Sequence, residues 1–252
     1  MRYIIYLLTI LILTACNNQK YNQRIEQFEN YLGSEKSAVL TKKVESFERF
    51  LSMNFKNQTI EENYIDFLRN IAFGDYENID WKFEQNNRKE LERISELHRL
   101  RQEIWTKPDS VWINDTVLIC LSYYITNSDT QELFYKNYHP KYRNKKLNLD
   151  STINAEKRIM RFNLNGKFYK GLGIIKDSDS TIIAYLDNRN STGSLPPSII
   201  ANGFLERNTD FLDYFVKRII MIQFYREIRL PTINIVHLAN SAKYEDVSIK
   251  LN

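Results

Sequence analysis

Between residues 22 and 105 the apolar positions recur at three- and four-residue intervals, which is the period of a helix with one buried face. In "QRIEQFENYLGS" the face is Ile25, Phe28, Tyr31 and Leu32, and Gly33 suits a helix C-terminus. Ser34 is placed to cap a second helix whose inward residues are Val39, Leu40, Val44, Phe47, Phe50 and Leu51. Thr59 and Glu62 stand at capping-box spacing at the head of a third, where each side chain can bond the other's backbone N–H. "RKELERISELHRLRQEIW" predicts a long charged helix with a narrow stripe of Leu91, Ile94, Leu97, Leu100 and Ile104, ended by Pro108. The segments "IEQFENYL" (25–32) and "VESFERFL" (44–51) align without gaps. Short amphipathic helices of similar composition look alike, and a repeat array would show more and clearer copies, so the echo is read as shared patterning.

From about Asp109 the period changes. "TVLICLSYYI" is β-branched and aromatic and predicts a buried strand, while Asp129 and Glu132 could box a short helix through Phe134. "RIMRFNLNGKFYKGLGIIK" predicts two strands about Asn165-Gly166, a pair favoured in type I′ hairpin turns. "DSDS" then turns the chain into "TIIAYLD", completing an antiparallel meander. Pro196-Pro197 lead into a short helix, and "DFLDYFVKRIIMIQFYREI" (210–228) is apolar on most sides, which places that helix at a centre. "TINIVHL" and "VSIKL" predict two last strands. The expectation is an α+β fold: a helical N-terminal layer over 22–107, then a mixed region over 108–252 with an antiparallel sheet and a buried C-terminal helix. The two regions could share one domain.

Composition narrows this picture. Aromatics make up 13% of the chain and there are only 7 glycines, which favours a packed body over a disordered stalk. The two cysteines, Cys16 and Cys120, allow neither a disulfide framework nor a cysteine-built zinc site. Cys120 sits in the apolar run "VLICLSYY" and is expected to be a buried thiol. His98, His139 and His237 are scattered and lack zinc-ligand spacing. "DSDST" (Asp177–Thr181) resembles the D-x-D-x-T motif of haloacid-dehalogenase phosphatases, which implies Asp177 as nucleophile and Asp179 as acid/base with Mg²⁺. The resemblance ends at five residues and lacks the preceding parallel strand, so a polar turn is the reading taken. No serine elbow or glycine-rich phosphate loop is present, and no cofactor is expected.

The N-terminus carries the most specific signal. The apolar run Tyr3–Leu13 is about 16 Å long as a helix, against a hydrocarbon core of about 30 Å. Arg2 precedes it and small residues follow, the layout of a secretory signal peptide. Leu13-Thr14-Ala15-Cys16 resembles the lipobox of bacterial lipoproteins. That resemblance implies removal of residues 1–15 and attachment of lipid to Cys16, leaving a cell-envelope protein. Loss of Arg2 lowers the formal charge from +4 to +3, a mild excess that does not point to nucleic acid. In lipoproteins of this kind an aspartate after the cysteine commonly marks retention at the inner membrane. Asn17 stands there, so the resemblance leans to the outer membrane. Residues 16–21 form a short tether that holds the body within about 15–20 Å of the bilayer.

One further stretch is distinctive. In "YKNYHPKYRNKK" (135–146), Lys136, Lys141, Tyr142, Arg143, Lys145 and Lys146 interleave cations with tyrosines, a combination suited to an anionic surface such as headgroups or lipopolysaccharide phosphate. The simpler reading is a solvated loop with locally packed rings. Taken together, the sequence reads as a lipid-anchored, non-catalytic binding protein whose partner is an envelope protein or an anionic envelope component. An envelope hydrolase with a site assembled from distant residues, and an immunity-type lipoprotein, remain as alternatives.

Overall fold

The computed structural model describes residues 19–56, 59–81, 93, 95, 99–107, 110–115, 120–126, 131–137, 149–158, 160–176, 179–192, 195–207 and 209–228. The chain divides into two compact units, one from Met1–Leu100 with Gly171–Asn252 and one from Arg101–Lys170. The described residues are mostly helical, which overturns the expected α+β fold with a sheet layer.

The first unit is built from helices α1 (19–32), α2 (Ser34–Asn54), α3 (Ile60–Phe73), α7 (Ser180–Thr192), α8 (Pro197–Leu205) and α9 (Tyr214–Ile228). A single residue, Gly33, separates α1 from α2, with φ at 100°. Its backbone, rather than the Ser34 side chain, caps α2, and Ser34 is the first helical residue. Thr59 and Glu62 form the reciprocal capping box of α3, at 3.2 and 3.1 Å. Gly74 ends that helix in the left-handed region at φ 77°, where it avoids a Cβ penalty.

The buried face of α1 is Phe28 and Leu32, and that of α2 is Val39, Leu40, Val44, Phe47, Phe50 and Leu51. The two aligned segments therefore share a simple cause: Phe28/Leu32 and Phe47/Leu51 occupy matching buried positions one helical turn apart. Tyr64, Phe67, Leu68 and Ile71 of α3 are buried too, and the Tyr64 and Phe67 rings meet Phe47 of α2. Phe67 is the hub of an aromatic core, with ring centroids 5.3 Å from Phe47, 5.7 Å from Phe224 and 6.3 Å from Phe50, all edge-on. Helix α9 packs against α2 and α7 and buries Phe215, Val216, Ile219, Ile220, Met221, Ile222 and Phe224, so its apolar residues cover more than one face. Asp213 starts it by accepting the N–H groups of Phe215 and Val216 at 2.7 and 2.9 Å.

The second unit holds α4 (Leu100–Ile104, which begins at the boundary), α5 (Leu149–Arg158), the start of α6 (Lys167–Ile175) and all the described strands. β1 (Trp105–Thr106) pairs antiparallel with β5 (Arg161–Phe162). β2 (Ser110–Asp115), β3 (Cys120–Thr126) and β4 (Gln131–Asn137) make an antiparallel sheet in that order, with Tyr124 opposite Ser110 and Leu133 opposite Tyr124. The helix expected from Asp129 through Phe134 is thus strand β4 over its described part. Its Leu-Phe-Tyr run has the bulky aromatic character of a strand and completes a ladder along β3.

The largest correction lies at 161–186. Instead of a hairpin about Asn165-Gly166, the strand stops after Phe162 and the chain enters α6. A type I′ turn needs positive φ at both central residues. Among the described residues only Arg99, Gly33 and Gly74 have it. Asn163 makes the turn instead: its side chain accepts the Asn165 N–H at 3.1 Å and donates to the Gln102 carbonyl at 2.7 Å. The Glu103 carboxylate then accepts the Lys167 N–H at 3.0 Å in the first turn of α6. Gly166 is there for room: a Cβ would fall 2.1 Å from the Glu103 carbonyl oxygen. Phe168, Leu172 and Ile175 are buried at helical spacing. "TIIAYLD" is likewise helix α7, with Ile182, Tyr185, Leu186 and Arg189 buried at helical spacing. The strands expected near 233–238 and 247–251 lie outside the described residues, as does most of the expected helix 88–105. There Arg93 and Ser95 are helical, and Arg99 at φ 55° separates them from α4.

Candidate functional site

Two polar groupings stand out in the helical unit. The first ties four helices together. The Tyr21 hydroxyl on α1 accepts the Tyr214 N–H at 2.8 Å. The Tyr214 hydroxyl donates to Glu29 of α1 at 2.6 Å. The Arg218 guanidinium lies 3.2 Å from the centre of the Tyr214 ring and donates to Thr41 of α2 at 2.7 Å. The Tyr64 hydroxyl of α3 donates to Glu48 of α2 at 3.4 Å, and Lys217 of α9 meets the same carboxylate at 2.8 Å.

Burial dominates the electrostatics of this cluster. It pushes the Tyr21 phenol up to about 12, with the Asp213 charge adding to the rise and the Tyr214 N–H opposing it. Burial also raises Tyr64 and Tyr214, with Glu48 and Glu29 respectively favouring the protonated phenol, and it lowers Arg218. Within this cluster Glu29 and Glu48 accept bonds from phenols and, for Glu48, the Lys217 ammonium. Such an arrangement aligns helices and holds the start of α1 against the start of α9.

The second grouping surrounds a cavity of about 420 Å³ between α7 and α8. Its wall combines Tyr185, Leu195, Ile200 and Phe204 with Thr181, Asn188 and Arg189, and Glu206 and Arg207 stand at the end of α8. Arg189 is buried, with 5% of its surface exposed. It donates to the Gln223 side-chain oxygen, and its guanidinium carbon lies 5.5 Å from the centre of the Tyr185 ring. Burial raises the Tyr185 phenol, against the lowering effect of the Arg189 charge, so the hydroxyl keeps its proton at neutral pH. The size and the mixture of apolar wall with a few polar groups are those of a small-ligand site.

Sequence reasoning missed this cavity because it read the two segments as a strand and a short helix. On a helix, Thr181, Tyr185, Asn188 and Arg189 fall along one side at three- and four-residue spacing, a signal present once the period is read as helical. Of the residues singled out from sequence, Cys16, Lys141, Tyr142, Arg143, Lys145 and Lys146 lie outside the described residues, as do His98, His139, His237 and Asp177. Lys136 lies on strand β4 opposite Leu121, and Cys120 on β3 opposite Asn137. Asp179 caps α7, accepting the N–H groups of Thr181 and Ile182 at 2.8 and 3.2 Å. Among the described residues no three His, Cys, Asp or Glu side chains converge as a metal site would require, and no helix is long and apolar enough to cross a membrane. No protein-family model, characterised protein or solved structure matches the chain.

Proposed function

We propose that this chain is a lipid-anchored cell-envelope protein whose helical body binds an envelope component or partner protein. The observation that carries this reading is Leu13-Thr14-Ala15-Cys16 following a short apolar run, with helix α1 under way at residue 19. Lipid on Cys16 supplies the membrane affinity that a span too short to cross cannot, and more than one acyl chain gives stable attachment. Tyr21 supports a close attachment. Its hydroxyl is bonded into the body, so the chain from Cys16 to that fixed point reaches at most about 18 Å. The outer membrane is the favoured location, on the ground of Asn17.

The cavity between α7 and α8 supports a binding role for the body. The basic stretch from Lys136 to Lys146 would add attraction to anionic headgroups. The test is Cys16→Ser followed by membrane fractionation and acyl labelling. The substitution should abolish labelling and release the protein. Retention on membranes through a high-salt wash would refute lipid anchorage as the mode of attachment.

A further inference from the structure

With lipid on Cys16, helix α1 gives the body a fixed point beside the bilayer. Three residue steps separate Cys16 from Gln19, the first helical residue described, so the two stand at most about 11 Å apart. However the body leans, the start of α1 and whatever is bonded to it stay close to the membrane. What is bonded to it is the turn before α9. The Tyr21 hydroxyl accepts the Tyr214 N–H at 2.8 Å, and the Tyr21 ring lies edge-on to Phe215 at 6.5 Å. That turn holds an apolar side chain outward: Phe211 and Asp213 are buried, while Leu212 between them is 49% exposed. The turn is braced. The Asp210 side chain accepts the Leu212 N–H at 2.8 Å, its carbonyl accepts the Asp213 N–H at 3.2 Å, and Asp213 caps α9. Leu212 is thus held away from the core, where its side chain forgoes the gain of leaving water. The exposed charges flanking this end, Lys20 and Asp210, are of opposite sign, so what it offers a surface is apolar contact.

We infer that the 210–214 turn is the part of the helical unit that rests on the bilayer, with the Leu212 side chain inserted at the headgroup boundary. The inference rests on the lipid anchor proposed above and adds an orientation to it. Exposure alone would select a different residue. Phe73, at the end of α3, is 76% exposed. It lies towards the other end of α9, as the contacts along the two helices show. Tyr64 shares the Glu48 carboxylate with Lys217, and Phe67, further along α3, meets Phe224, which is about 15 Å along α9 from Tyr214. Phe73 continues in that direction, away from the point where Tyr21 is fastened.

The experiment adds one tryptophan to the full lipidated chain, as Leu212→Trp or as Phe73→Trp. Each variant is reconstituted into vesicles of phosphatidylethanolamine and phosphatidylglycerol, with or without bromine in the upper acyl chains. Emission is read as the difference from the parent chain, which carries Trp81, Trp105 and Trp112. Both sites are exposed, and helical circular dichroism equal to the parent's verifies the fold. Tryptophan has the same preference for the membrane interface at either site, so position decides the outcome. The added emission of Leu212→Trp should shift to the blue and fall about twofold or more on brominated lipid, and that of Phe73→Trp should not change. Equal quenching at the two sites would overturn the orientation. So would an unquenched Leu212→Trp in a chain that carries acyl label and floats with the vesicles, and in that case the anchor stands. A chain without acyl label would overturn the anchor and this inference with it.

Discussion

Two glycines near the ends of one helix should respond to the same substitution in opposite directions. At Gly166, just before α6, an alanine Cβ would sit 2.1 Å from the Glu103 carbonyl oxygen and 2.7 Å from its carbon. An ordinary contact begins near 3.4 Å, so one backbone segment must move by more than an ångström. The obstacle is main chain and cannot rotate aside. The displaced segment also carries the Asn163 N–H bond to the Ile104 carbonyl, 2.8 Å long, and the bond from Asn163 to Gln102. Overpacking costs about 1–3 kcal/mol, and a backbone obstacle with attached hydrogen bonds belongs at the upper end, about 3 kcal/mol. That corresponds to a fall of about 6–12 °C in Tm for a chain of this size.

At Gly173, inside α6, an added Cβ meets nothing within 4 Å. The substitution there removes backbone freedom from the unfolded chain and should stabilise by about 0.5–1 kcal/mol. Urea denaturation of the two variants and the parent, with the slope m held as a check on two-state behaviour, measures both effects. Amide exchange at Asn163 should accelerate in Gly166→Ala alone. A Gly166→Ala variant within about 0.5 kcal/mol of the parent, or two variants shifted in the same direction, would refute the placement of Gly166 against Glu103.

Phe67→Ala should cost about 4 kcal/mol, since it removes the ring on which the aromatic core converges; a loss under about 2 kcal/mol in urea denaturation would contradict that role. Buried Tyr64 and Tyr185 and half-buried Tyr21 and Tyr214 hold their phenol protons above the unfolded value of about 10. The unfolded chain therefore releases protons first, and stability should be full below about pH 10 and decline as pH rises towards the folded values, about 12 for Tyr21. A urea midpoint that stays level from about pH 10 to 12 would count against this burial. Neutralising Lys141, Arg143, Lys145 and Lys146 together should lower binding of the Cys16→Ser chain to anionic vesicles more than tenfold, at about 1 kcal/mol per cation near the surface; unchanged sedimentation with vesicles would remove the basic stretch from the membrane contact.

The face of α2 was legible because its apolar residues keep a 3.6 period over several turns, while on α1 Phe28 and Leu32 are buried as expected but Tyr31 is exposed and Ile25 half-buried. The Thr59–Glu62 box was legible because its chemistry is local. The segment 161–186 was not. Short apolar runs such as "KFYKGLGII" fit either period, and Asn-Gly carries a strong hairpin preference. What decided the outcome was a contact distant in sequence, Asn163 and Gly166 against the end of α4, which no window about residue 165 contains. The candidate site suffered twice over: α7 was read with the wrong period, and a cavity between two helices exists only once both are placed. The tether was read as ending at residue 21, yet Tyr21 is where the body takes hold of the chain, through a partner nearly two hundred residues away.

Gly33 has a consequence for how this chain can vary. With one residue between them, α1 and α2 have no slack in which a length change could be absorbed. Each residue of a helix advances the side chains by about 100°. A one-residue insertion within α1 after Tyr21 would therefore turn Phe28 and Leu32 out of phase with the point where Tyr21 is fastened. The joint thus ties the rotational setting of the first helix to that of the second, and length polymorphism should not be tolerated between Tyr21 and Leu51.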